Sequence, residues 1–433
     1  MLQTDSPGSA MRSGTFLLGG KPWLGGKIWL GRIAVLAALA APFAMPAGAR
    51  AQQNCGTTGA GFDAWLAGFR QQAVAEGVSP RTVASALKGV TYAPDIVGTD
   101  RGQKVFGQSF FQFSDRMVAN YRIQQGRQKI QKNPELFSRI EQRFGVPGAV
   151  LVAFWGLETD FGAFMGDKQT IRSVASLAWD CRRSEMFRTQ LMAALKIIDR
   201  GDLTAQTMRG PWAGELGQFQ FLPDHYLNYG IDFDGDGRVD LIRSTPDALA
   251  SAANYIQALG WKAGQPWLEE VRVPADLPWD KADLSTKIPR AQWARMGVVR
   301  AGGGQLPADQ LPASLLLPMG RNGPAFLVYP NFDVFTEWNN SLVYATSAAY
   351  LASRVAGAGP FNRGQGDKIP VLSMAQAKEL QTLLNARGHH VGRIDGIVGA
   401  ATRQAIKVEQ MRLGLPADSY PTPELLAALR AGK

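Results

Sequence analysis

Nine consecutive residues without a charge, Ala149 to Leu157, constrain this chain more than any other stretch. Val146-Pro147-Gly148 precedes them and Glu158-Thr159-Asp160-Phe161-Gly162 follows. A run of this kind must be buried, so the fold needs a core wide enough to surround it on every side. With 433 residues and 45% hydrophobic content the chain can supply one, and it is too long for a single ordinary domain. Disordered, collagen-like and coiled-coil classes are excluded by the same figures. Three His and two Cys leave almost no ligands for a zinc or iron–sulfur centre.

Burying the run sets Glu158 at the end of an apolar helix beside Trp155 and Phe161. Desolvation there disfavours the ionised carboxylate and raises its pKa, which a general acid working near neutral pH requires. The alternative is a solvated Glu at a helix end, and this segment alone does not separate the two. Asp160, two residues on, points to another side of a helix, so these neighbours do not make a two-carboxylate glycosidase pair.

Residues 1–51 read as a signal peptide: Arg12, Lys21, Lys27 and Arg32, the apolar run Ile33–Ala41, then small residues to a cut after Ala51. The apolar run is too short for a stop-transfer helix, although a retained N-terminal anchor is the alternative. The leader carries five Lys/Arg and one Asp, so its removal takes the formal charge from +10 to +6. Export points to the periplasm, with membrane contact only in transit. There Cys55 and Cys181, the only pair available, are expected to join as a disulfide. A thiol nucleophile at Cys181 is the rival role, and no His lies nearby in sequence to serve as its base.

Helical periodicity dominates the rest, giving a mainly α (α+β) fold class. Phe62, Trp65, Leu66 and Phe69 share one stripe; Ser79-Pro80 opens a further helix, and Pro134–Phe144 forms another that stops at Gly145. Strand-like alternation is sparse until Ala325–Tyr329. Residues 357–370, rich in Gly and Pro, read as a flexible boundary between a domain over 52–356 and a module over 371–433.

Asp232-Phe233-Asp234-Gly235-Asp236-Gly237-Arg238-Val239-Asp240 matches the start of an EF-hand loop, with oxygen ligands at positions 1, 3 and 5 and the Arg238 carbonyl at 7. Position 12 is Arg243, where a closing Glu is missing, and Asp247 is the candidate to complete a lengthened loop over 232–247. Structural Ca²⁺ is the expected occupant, Na⁺ a weaker one, and a bare solvated loop the alternative. No cofactor is expected in catalysis.

Trp155-Gly156-Leu157-Glu158-Thr159-Asp160-Phe161-Gly162, Cys181-Arg182-Arg183, Gly217-Gln218-Phe219-Gln220-Phe221-Leu222-Pro223, the Asp-rich loop and Ala253-Asn254-Tyr255 follow one another in order. Together they resemble the membrane-bound lytic murein transglycosylase B family, over about residues 60–356. The resemblance implies a lysozyme-like catalytic domain with an added helical subdomain. It implies that Glu158 is the catalytic acid and then base, that Arg182 and Arg183 flank the glycan groove, and that Gln220 and Phe221 line it. Tyr255 is implied as an aromatic lining position, with Asn339 and Tyr344 on the far wall. The implied reaction cleaves the bond between N-acetylmuramic acid and N-acetylglucosamine in peptidoglycan and closes a 1,6-anhydro ring. A hydrolytic muramidase and a non-catalytic murein-binding scaffold are the alternatives. Four positions depart from the family pattern: Pro211 for a small hydroxyl residue, Glu215-Leu216 for a small residue and Met, and Trp338 for Tyr.

The C-terminal segment carries Asp395-Gly396 and Gly399-Ala400-Ala401-Thr402 between amphipathic helices and is similar to the small three-helix peptidoglycan-binding domain. That implies a murein tether. Expected partners are glycan strands and, beyond them, proteins of cell-wall synthesis or division. Nucleic acid is not expected, because the Lys/Arg are dispersed and no binding motif occurs.

Overall fold

The uncharged run is the centre of a helix, Gly148–Thr159, in which every residue from Val150 to Leu157 is buried. The computed structural model describes residues 55–102 and 107–432, so the leader expected over residues 1–51 lies outside the described residues. Helices Asn120–Lys132, Pro134–Phe144, Thr245–Ala258 and Leu342–Val355 pack around this central helix. Each fully buried Val, Leu or Phe in it contributes about 1.5–3 kcal/mol relative to exposure. Close approach is possible because Gly126 faces it: a Cβ there would lie 3.2 Å from Val152 and 3.4 Å from Val355.

The predicted stripes behave as the periodicity requires. Phe62, Trp65, Leu66 and Phe69 are buried on the helix Phe62–Ala75. Ser79 caps Pro80–Ala86 by accepting from the Thr82 amide, and Pro134–Phe144 ends at Gly145 with φ 72°. Cys55 and Cys181 are joined with Cα atoms 4.9 Å apart. The bridge closes a 126-residue separation, and Gly56 pairs with Trp179 and Cys181 beside it.

Among the described residues seventeen α-helices accompany a five-stranded antiparallel sheet. Its spatial order is Ile288–Pro289, Pro312–Leu316, Ala325–Val328, Leu268–Arg272, Val299–Arg300. Only Ala325–Val328 was legible as a strand in the sequence. The other strands are short or irregular in pattern, and they are fixed by pairing across the sheet, as in Leu268↔Val328 and Leu315↔Leu327. A second core behind the sheet gathers Val271, Leu315, Leu327 and Trp293, whose indole donates to the Ala313 carbonyl at 2.9 Å.

Residues 357–370 are mostly exposed, and two side chains tie the segment to the body. Phe361 sits 5.4 Å from Phe110 and 4.7 Å from Tyr350 between ring centroids. Arg363 lies over Phe111 at 4.1 Å and bonds Asp115 at 2.7 Å. Most of the Gly and Pro residues around these two anchors stay exposed.

The C-terminal module contains three helices, Met374–Ala386, Ala400–Arg412 and Pro423–Arg430, around Leu380, Leu384, Ile406, Leu425 and Leu429. It is seated on the sheet-bearing body through a Lys407–Asp283 ion pair and an Arg321 amide bond to Asp418 of 2.9 Å. The Tyr420 hydroxyl adds a bond of 3.0 Å to the Pro370 carbonyl. No helix among the described residues is long and apolar enough to cross a membrane.

Candidate active site

Glu158 occupies the last turn of the central helix, which stops at once because Asp160, Phe161 and Gly162 all have positive φ. Non-glycine residues in that region cost on the order of 1–2 kcal/mol each and persist only where the surroundings hold them. Here Arg122 binds Asp160 at 3.3 Å, and Thr159 Oγ1 donates to the Gln218 carbonyl at 2.7 Å while accepting from the Gly162 amide. Asp160 is thereby committed to Arg122, and Glu158 is left to the cleft.

That cleft measures about 390 Å³ and is lined by Glu158, Arg183, Glu215, Gln220, Tyr255 and Asn339, among others. Glu158 Oε1 accepts from the Trp338 indole at 2.9 Å and from the Tyr344 hydroxyl. Burial pushes the Glu158 pKa up, the Tyr344 and Trp338 bonds pull it down, and the Glu215 carboxylate pushes it further up. The raised pKa is the direction a general acid needs. The two donors also favour the carboxylate once its proton has gone.

Arg183, Gln220, Phe221, Tyr255 and Asn339 come together in the cleft wall. Gln220 stands in a tight turn with φ 53°, its side-chain amide donating to the Gly217 carbonyl at 2.9 Å, while Leu216 and Phe221 pair on either side. Tyr255 packs on Phe221 at 5.5 Å and His225 at 4.6 Å. Arg182 does not line the cleft: it donates to the Asp100 carbonyl at 2.8 Å and ion-pairs with the Asp100 carboxylate, which is buried and demands a cation. Arg183 shares that carboxylate. Tyr344 presents its hydroxyl to the acid and is absent from the cleft lining. Trp155 is core, edge-on to Phe161 and 3% exposed.

Two departures from the family pattern acquire roles. Trp338, which stands where the family pattern has Tyr, supplies a donor to the acid. Glu215 lines the cleft with its pKa raised by burial, and its Oε2 has no hydrogen-bond partner. Pro211 lines the cleft too and offers no hydroxyl, so the hold on Glu158 comes from the opposite wall.

At the Asp-rich loop, Asp232, Asp234 and Asp247 each bring a carboxylate oxygen within 4.8 Å of the others. None of the three makes an ion pair among the described residues. Asp247 accepts from the amides of Phe233 at 2.8 Å and Asp240 at 2.9 Å, tying both ends of the loop. Three uncompensated carboxylates, one of them fully buried, fit a hard divalent cation. Asp236 stands outside the group: exposed, it accepts from the Arg238 amide and faces the Arg238 guanidinium at 3.7 Å.

The transglycosylase SLT domain model matches residues 61–353. The chain belongs to the SLT transglycosylase family. A peptidoglycan binding domain model matches residues 373–429 behind the SLT domain. Membrane-bound lytic murein transglycosylase B of Escherichia coli K12 is 32% identical over 226 residues, which span 51% of this chain and 60% of that relative. SltB3 from Pseudomonas aeruginosa, crystallised with NAG-anhNAM-pentapeptide, is 43% identical with a TM-score of 0.79, covering 85% of this chain and 99% of SltB3. The Escherichia coli lytic transglycosylase Slt35 in complex with calcium is 26% identical with a TM-score of 0.59, covering 72% and 98%. In this SLT domain the cleft, its carboxylate and the Asp-rich loop all lie within the matched residues.

Proposed function

We propose that the protein is an exported lytic transglycosylase that cleaves peptidoglycan glycan strands in the periplasm. The observation that carries this reading is Glu158: a half-buried carboxyl with raised pKa at the foot of a cleft, one oxygen held by Trp338 and Tyr344. With Oε1 taken by two donors, the proton belongs on Oε2. Glu158 gives it to the glycosidic oxygen between N-acetylmuramic acid and N-acetylglucosamine, and the bond from that oxygen to the muramic C1 breaks. Positive charge develops at C1, where the substrate's own acetamido oxygen stabilises it. Glu158, now ionised and stabilised by its two donors, takes the proton from the muramic C6 hydroxyl as its oxygen bonds C1. A 1,6-anhydro ring forms, no water is consumed, and the acid is regenerated.

Gln220 and Asn339 serve as amide groups that orient sugar amides and hydroxyls, and Tyr255 offers a ring face. Arg183 supplies positive charge near the muramic carboxylates. The C-terminal module raises the local concentration of strands by binding murein. A disulfide between Cys55 and Cys181 suits an oxidising compartment. Asp232, Asp234 and Asp247 would hold Ca²⁺, or Na⁺ more weakly, in a structural role; a bound cation neutralises the clustered carboxylates and fixes the loop. SltB3 in complex with NAG-anhNAM-pentapeptide and Slt35 in complex with calcium support both readings.

Glu215 favours a second reading. A carboxylate in the same cleft could activate water, which would make the enzyme a hydrolytic muramidase. Mass spectrometry of digested sacculi tests the choice. Anhydro-muropeptides are expected; products with only reducing ends establish the hydrolase, and no release at all from the full chain leaves the murein-binding scaffold.

A further inference from the structure

Gln218 is 5% exposed and stands where three parts of the site meet. On one side lies the Asp-rich loop, on another the turn that ends the catalytic helix, and two residues on Gln220 lines the cleft. Its backbone joins the first two. The Gln218 amide donates to the Leu241 carbonyl at 2.9 Å, and the Gln218 carbonyl accepts from Thr159 Oγ1 at 2.7 Å. Leu241 follows Asp240 in the loop, and Thr159 follows Glu158 on the helix. The chain approaches the loop backbone to backbone: Gly217 has φ 72°, and a Cβ there would overlap the Leu241 carbonyl oxygen.

The side chain repeats the link. Gln218 Nε2 donates to the Ile242 carbonyl and to Thr245 Oγ1, each at 3.4 Å. Both partners lie between Asp240 and Asp247, whose own bond, from the Asp240 amide to the Asp247 carboxylate at 2.9 Å, closes the loop. The same side chain abuts the turn: a Cβ on Gly162 would meet Gln218 Oε1 at 3.5 Å, and the Gly162 amide donates to Thr159 Oγ1 at 2.9 Å. Gln218 therefore bridges a loop of clustered carboxylates and a turn of three successive positive-φ residues. A turn of that kind keeps its shape only while its neighbours hold it.

We propose that Gln218 is a positioning residue that couples the Asp-rich loop to Glu158, so that a divalent cation in the loop orders the turn beside the acid. The coupling rests on the reading of the loop as a cation site and of Glu158 as the acid. Asp232, Asp234 and Asp247 repel one another until a cation neutralises them, and the repulsion is relieved when the two ends of the loop part. Leu241, Ile242 and Thr245 belong to the end that carries Asp247, so a parted loop draws away the partners of Gln218. Thr159 then loses its fixed acceptor, and Glu158 its alignment with Trp338 and Tyr344. A cation binds the closed loop better than the parted one, and that differential affinity is what shifts the turn.

Hydrogen exchange of the full chain, read by mass spectrometry in Ca²⁺ and in EDTA, tests the coupling without any substrate. In the wild type Ca²⁺ is expected to slow exchange about tenfold both in the loop, 232–247, and in the turn, 159–164, with the C-terminal module as the internal reference. Gln218→Met, which keeps the side-chain length and removes its amide, is expected to retain the slowing in the loop and lose most of it in the turn. Thr159→Val cuts the link from the catalytic side and should do the same, whereas Thr159→Ser keeps the hydroxyl and the slowing. The slowing retained in the loop shows that each variant is folded. On sacculi, kcat of Gln218→Met and Thr159→Val is expected to fall about tenfold at unchanged KM, the split that misalignment of the acid gives. The coupling is overturned if Ca²⁺ slows the loop alone in the wild type, or if the turn keeps its tenfold slowing in either variant. Calcium that slows neither segment overturns the cation reading and the coupling with it. Because exchange is read without turnover, each of these outcomes is separable from failure of the sacculus digest.

Discussion

The indole of Trp338 donates to Glu158 Oε1 at 2.9 Å, across 180 positions of sequence. Trp338 itself stacks on Phe154, 4.4 Å between ring centroids, so the donor is held rigidly by the same helix that carries the acid. A position that departs from the family pattern thus takes part in setting the acid's proton affinity.

Trp338→Phe and Tyr344→Phe each remove one donor to the carboxylate. The ionised form is then less stabilised, so the Glu158 pKa rises and the alkaline limb of activity moves to higher pH. A hydrogen bond to a charged group contributes about 1.5–3 kcal/mol, so turnover at the optimum is expected to fall roughly 10- to 100-fold. pH–rate profiles of both variants check the direction.

Glu158→Gln is expected to reduce release of soluble muropeptides by at least about 10²-fold. Its stability should move the other way. Because folded Glu158 keeps its proton to higher pH than the unfolded chain does, its contribution is fully present below the ordinary Glu range and is lost as pH rises through the raised pKa. The variant avoids that loss, and its amide oxygen still accepts from Trp338 and Tyr344. Melting curves should coincide near pH 4 and favour the variant at pH 7.

Glu215→Gln removes a negative charge that raises the Glu158 pKa. The alkaline limb is expected to shift to lower pH, opposite to the Tyr344→Phe shift, with anhydro products unchanged. Loss of turnover together with reducing-end products in the wild type would instead identify Glu215 as a base that activates water.

Added Ca²⁺ is expected to raise the melting temperature of the wild type, by an amount that grows with the logarithm of concentration above Kd. Asp234→Asn should blunt that response, because it takes one charge from the group of Asp232, Asp234 and Asp247. Differential scanning calorimetry with EDTA as the baseline reads both.

Replacing Cys55 and Cys181 by Ala opens a closed loop of 126-residue separation. The chain-entropy relation gives a loss of about 4–5 kcal/mol, measurable as a lower urea midpoint. Activity under native conditions should persist, since the bridge does not line the cleft.

The sequence by itself determined the elements with strong local signatures. The apolar run had to be a buried helix, and it carried Glu158 to the end of that helix. Phe62, Trp65, Leu66 and Phe69 had to face inward, and the spacing of Asp232 and Asp234 and the candidacy of Asp247 were legible from oxygen chemistry. These follow from period, burial and ligand type, which act over a few residues. Tertiary structure alone decided which wall holds the acid. Tyr344, placed on the far wall by the resemblance, bonds Glu158, and Arg182, placed beside the groove, ion-pairs with Asp100. Trp338 became a donor, and Phe361 anchors the mostly exposed segment 357–370 against Tyr350. In each case the partner lies on a different element, brought near by the packing of the whole core, and no local pattern records which distant group will satisfy a buried charge.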